Sequence, residues 1–161
     1  MELRELAAVL GTMGVDLEAL ALAYLAEYRP AISWQSDAIW SFFLEHPRAL
    51  LAAMGAGPLA DRIDEYARPA ARKRALQVLV TAPLIPQALL PFVWGIALGA
   101  ERSHRPLAQA ALEKLPGKEE RIIAALADGK SEVRASAAEW LGRLRAESAL
   151  RAALKKEKQE V

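Results

Sequence analysis

Arg105, Ala108, Leu112 and Leu115 recur as Arg134, Ala137, Leu141 and Leu144, a constant 29 residues further along the chain. The segments behind them recur too: Ile122, Leu126, Lys130, Glu132 and Val133 match Leu150, Leu154, Lys158, Glu160 and Val161 at an offset of 28. A loop one residue shorter after Leu144 than after Leu115 accounts for the difference. Within each segment the apolar residues fall three and four apart, the period of one helix face. A repeat of this length holds two amphipathic helices. One such pair cannot bury its apolar stripe alone, so the repeat predicts pairs stacked on their neighbours in a short helical solenoid.

Composition agrees with a helical chain. Alanine fills 34 positions against 16 for valine, isoleucine and threonine together, so the strongest helix former outnumbers the β-branched residues about two to one. The expected fold class is therefore all-α, an α-α superhelix of helical hairpins. With 161 residues the chain has length for one domain, residues 1–161, in which 103–130 and 131–161 are the clearest repeats.

Helix boundaries follow from caps and breakers. Leu3, Leu6, Ala7 and Leu10 predict a first helix that Gly11 and Gly14 weaken. Asp16 caps a second, carrying Leu17, Leu20, Tyr24, Leu25 and Tyr28 and ended by Pro30. Ser36 or Asp37 caps a third through Ile39, Trp40, Phe43 and Leu44, and Pro47 opens a short fourth that stops at Gly55. In the repeats, Ser103 and Ser131 are the expected N-caps, Pro106 lies in a first turn, and Pro116-Gly117 and Gly129 are the expected stops. Glu119 and Glu120 suit the positive end of the intervening helix, and a last helix starts near Glu147.

From Ala75 to Ala100 no residue is charged, a stretch long enough on paper to span a bilayer. Pro83, Pro86 and Pro91 break it, and Gln87 is polar, so two buried helices, Pro69 to Thr81 and Gln87 to Ala100, are expected instead. Gly95 and Gly99 stand four apart, a spacing used for close helix packing in and out of membranes. A membrane partner is not expected.

Asp128, Gly129, Val133 and Arg134, followed by Ala137, Leu141, Gly142 and Leu144, resemble a HEAT repeat. The resemblance covers about residues 103–161 and thins before that. It implies that Asp128 and Arg134 make polar links between successive repeats and that the array presents a surface to a protein or peptide. The whole is also similar to the HEAT-rich portion of bacterial molybdate metabolism regulators. Because Val161 aligns with Val133, where another repeat should continue, the chain reads as a piece of a longer protein.

Chemistry in the sequence is sparse. There is no cysteine, and His46 and His104 lie far apart with no ligand spacing, so no metal, cofactor or thiol nucleophile is expected. Ser33, Ser36, Asp37 and His46 include the residue types of a hydrolase without a nucleophile elbow around either serine. Gly55-Ala56-Gly57-Pro58 has the glycines of a phosphate loop but follows a helix, which favours a helix stop. Arg68, Arg72, Lys73 and Arg74 follow the acids of residues 61–66 and read as a solvated face.

The formal charge of +1 provides no field to gather nucleic acid. Trp40 and Trp94 are expected in the core, Trp140 reads as a stacking part of the repeat, and Trp34 is the open case. The leading expectation is a non-catalytic, cytoplasmic interaction scaffold with a protein or peptide partner. Nucleic-acid binding or DNA-glycosylase chemistry on a HEAT-like frame comes second, and a role like that of phycobilin-attaching HEAT lyases third.

Overall fold

The computed structural model describes residues 3–26 and 39–151, and among these every regular element is helical and none is a strand. The chain divides into two compact units, Met1–Val93 and Trp94–Val161. The sequence expectations for Tyr28, Pro30, Ser33, Trp34, Ser36, Asp37 and the residues after Arg151 lie outside the described residues.

In the first unit, α1 (Leu3–Thr12) stops at Gly14, whose φ of 78° is left-handed. The amides of Gly14 and Val15 turn back onto the carbonyls of Gly11 and Leu10, so the helix end caps itself. Asp16 then starts α2 (Leu17–Ala26) as expected, its Oδ1 accepting from the amides of Glu18 at 3.0 Å and Ala19 at 3.3 Å. Helices α3 (Ile39–Glu45) and α4 (Pro47–Ala53) follow with only His46 between them. Helix α4 ends as α1 does: Gly55 has φ 84°, and the amides of Gly55 and Ala56 bond Ala52 and Leu51, each at 2.9 Å. Those two donors are spent on the helix end, which makes this glycine loop a helix stop.

Helix α5 (Arg68–Thr81) takes Pro69 in its first turn and packs on α2, α3 and α4, while α2 also packs on α4 and α1 on α3. Ala21, Ala49, Ala52, Ala53, Ala71 and Ala75 are fully buried, and such small residues let helix axes approach closely. Leu25, Phe42, Phe43, Leu50, Leu76 and Leu79 fill the space between them. The Arg74 guanidinium donates to the Leu25 carbonyl at 2.6 Å, satisfying an acceptor in the last turn of α2. Burial pushes the Tyr24 phenol above its usual range, partly opposed by the charge of Arg74.

The uncharged stretch breaks where its prolines require. Ala82 is extended, with φ −62° and ψ 141°, because Pro83 disfavours a helical conformation in the residue before it. A 3-10 turn at Gln87–Leu89 then leads into α6 (Leu90–Leu98). No helix among the described residues is long and apolar enough to cross a membrane.

The second unit contains the end of α6, then α7 (Arg105–Leu112), α8 (Lys118–Ala125) and α9 (Ser131–Arg143), with residues 147–151 again helical. The residues matched at an offset of 29 have matching burial. Ala108 and Ala137 are fully buried, as are Leu112 and Leu141, whereas Leu115 and Leu144 are both half-buried. One hydrogen bond is also made twice. Arg105 donates to the carbonyl of Gly99 at 2.6 Å, and Arg134 donates to that of Asp128 at 2.8 Å, each reaching back six residues. Each arginine thus ties the first turn of its helix to the segment just before it.

Three expected boundaries move. Ser103 does not cap α7: its hydroxyl donates to the Glu101 carboxylate at 3.0 Å, a charged acceptor next to it in the turn, and His104 occupies the cap position. Ser131 is the first residue of α9, with Lys130 before it as N-cap. The Lys130 amide is taken by the Asp128 carboxylate at 2.8 Å, so Asp128 shapes the entry to α9. Helix α8 ends at Ala125, ahead of Gly129.

Candidate functional site

In the second unit, Arg105, Gln109 and Glu113 follow one another at intervals of four, so they share one face of α7 and its C-terminal extension. Glu139 and Arg143 do the same on α9. Arg105 bonds Glu139 at 3.3 Å, and Arg143 donates to the side-chain oxygen of Gln109. Both links join residues 34 apart. The two contacts advance together along both helices, as they do when α7 and α9 run in the same direction. That is the relation between first helices of successive hairpin units.

The rungs of this ladder reach the end of α6 as well. Gln109 Nε2 donates to the Ala97 carbonyl at 2.9 Å, while Arg105 and Ser136 address the carbonyl of Gly99, at 2.6 and 3.5 Å. Carbonyls in a helix's last turn lack partners within the helix, and a guanidinium there also meets the negative end of the helix dipole. The buried polar residues Arg105, Gln109 and Ser136 are therefore explained by the end of α6.

Below the ladder, Trp140 is 2% exposed and packs against Trp94 with ring centroids 5.7 Å apart. The Arg121 guanidinium lies 4.7 Å from the Trp94 ring, within cation–π range. The Trp140 indole N–H donates to the Glu113 carboxylate at 3.4 Å. Trp94 is a core residue as expected, Trp140 is buried beside it, and Trp40, also expected in the core, is only half-buried at the start of α3.

An open cleft of about 560 Å³ lies over this arrangement, lined by Arg102, Arg105, Pro106, Gln109, Ala110, Glu113, Glu139, Trp140 and Arg143. Its charges are unevenly matched. Glu139 is paired with Arg105, and Glu113 with Lys118. Arg143 bonds only the neutral amide of Gln109, and Arg102 makes no ion pair among the described residues. Two guanidinium groups on the cleft thus form no ion pair among the described residues. Sequence reading missed this site because Arg143 and Arg102 lie outside the repeat's matched positions, and only the 34-residue pairing brings them to one place.

Other chemistry-bearing residues assemble less productively. Ser103, His104 and Glu101 meet in the turn before α7, with His104 Nδ1 2.5 Å from Glu101 Oε1 and 3.2 Å from Ser103 Oγ. A serine–histidine–acid relay needs the serine on one ring nitrogen and the acid on the other. Here both address Nδ1 of a buried ring, which ties the turn together and activates no nucleophile. In the first unit His46 lies 3.5 Å from Glu18 and rests on the ring of Phe42 with centroids 4.6 Å apart. No group of three or more histidine, aspartate or glutamate residues suited to a metal ion occurs among the described residues. No family model, curated protein or solved structure matches the chain.

Proposed function

We propose that this chain is a non-catalytic HEAT-like repeat module whose parallel helices α7 and α9 present a binding cleft to a peptide segment of a partner protein. The observation that carries the reading is the pair of equal-offset links, Arg105 to Glu139 and Arg143 to Gln109, along two helices that share one burial register. Stacked hairpin units set their first helices side by side in this way, and such arrays bind extended segments along the face those helices form. The ladder, anchored on the buried Arg105 and Gln109, holds the two helices, which leaves the cleft preformed and lowers the ordering cost of binding. On this reading the protein works in a reducing compartment such as the cytoplasm, as a scaffold within a larger regulatory assembly.

The test uses the whole chain as bait for a displayed library of random peptides, selected in parallel with the Ala110→Trp variant. Ala110 is exposed on the cleft wall, so an indole there occupies the cleft without disturbing the core. The module reading expects an enriched peptide family on the natural chain that binds the variant at least about tenfold more weakly, a loss of about 1.4 kcal/mol. Enrichment of no family, or of families indifferent to Ala110→Trp, would sink the reading.

A further inference from the structure

We infer that the segment recognised by the α7–α9 cleft is acidic, with carboxylates seated on Arg102 and Arg143; this rests on the module reading above. The charge balance argues for it. Both acids of the cleft already have cationic partners, Glu139 in Arg105 and Glu113 in Lys118, so their charge is balanced locally. Arg102 and Arg143 remain, one exposed without an ion pair among the described residues and the other bonded only to an uncharged amide. A guanidinium offers five N–H donors, and a carboxylate is the acceptor that fits them two at a time.

The remainder of the lining sets the class of ligand. Pro106, Ala110 and Trp140 supply apolar wall alongside the two cations, suited to the methylene stems and backbone of a peptide. The volume of about 560 Å³ falls within the range of ligand pockets and accommodates a few side chains. A nucleic-acid strand fits poorly. Only two cations are free, and Glu113 and Glu139 stand on the lining where a run of phosphates would pass.

Fluorescence polarisation on the whole chain tests this with three labelled probes: an octapeptide alternating glutamate and alanine, the same peptide with glutamine for glutamate, and an eight-nucleotide oligothymidine. The glutamate peptide is expected to bind about tenfold more tightly than the glutamine peptide, the scale of two partly exposed charge-assisted contacts. The double variant Arg102→Gln with Arg143→Gln is expected to erase that preference while its helical melting curve stays in place, and each single variant should erase part of it. No glutamate preference, a preference that survives in the folded double variant, or oligothymidine binding as tight as the glutamate peptide would each overturn the inference. If the displayed peptides lost on Ala110→Trp prove neutral or basic, the acidic assignment fails while the module reading stands.

Discussion

Trp140→Ala is expected to destabilise the protein by about 3–5 kcal/mol, the range for truncating a fully packed aromatic residue. Trp140 is 2% exposed, so the variant loses nearly the whole apolar area of an indole and leaves a cavity against Trp94. The ring contact with Trp94 adds about 0.5–1.5 kcal/mol beyond area burial, and the Glu113 carboxylate loses the indole N–H it accepts. A loss of this size approaches the total stability of many small domains. Urea denaturation followed by circular dichroism measures it, with Trp140→Phe as the control that keeps an aromatic ring against Trp94 and should lose markedly less. The result also separates two roles for this residue. A tryptophan that stacks on nucleic-acid bases can be removed with little change in stability; one that fills the space under α7 and α9 cannot.

The second large effect concerns the two glycines of α6 and carries opposite signs. A methyl group on Gly99 would stand 2.4 Å from the Gly95 carbonyl oxygen, a distance at which the backbone itself must move. Gly99→Ala is therefore expected to cost about 1–3 kcal/mol, the range of overpacking, because the Gly99 carbonyl is also the acceptor shared by Arg105 and Ser136. A methyl group on Gly95 meets nothing within 4 Å, and Gly95 is an exposed residue inside a helix. Gly95→Ala should stabilise by about 0.5–1 kcal/mol through its higher helix propensity. The same urea titrations decide the matter. If the spacing served approach by another helix at both positions, both substitutions would destabilise.

Much of the helical layout was legible in the sequence because its signals are local. Asp16, Pro47 and Gly55 act within one turn of chain, and their roles follow from what each residue type does to neighbouring amides. The burial of the matched positions was legible too: Ala108, Leu112, Ala137 and Leu141 are all fully buried, as the helical spacing of their small and large apolar residues led one to expect. The glycine spacing at 95 and 99 was visible, but its meaning was not. Only the backbone path shows that Gly99 closes onto its own helix.

Ser103 and Ser131 are the instructive failures. Both have the right type and place for a cap, yet neither helix start carries a side-chain cap: Ser103 turns its hydroxyl to Glu101, and Ser131 falls one residue inside α9, after a turn in which Asp128 takes the Lys130 amide. Residue type alone does not fix the cap position to one residue. The cleft was hidden for a different reason. Its cations come from the turn before α7 and the last turn of α9, and they meet only through a pairing offset of 34 that differs from the sequence period of 29. Nothing in the sequence states that difference, because it depends on how far one helix slides along its parallel neighbour.

The claim that joins these observations is that the face shared by α7 and α9 is where a partner binds. Backbone amide NMR of the isotope-labelled chain, titrated with the alternating glutamate–alanine octapeptide, tests it most directly. The account predicts shifts concentrated at residues 102–113 and 139–143, with the side-chain Nε–H signals of Arg102 and Arg143 moving alongside them. Shifts centred on other residues, or none at peptide concentrations that saturate the polarisation signal, would contradict it.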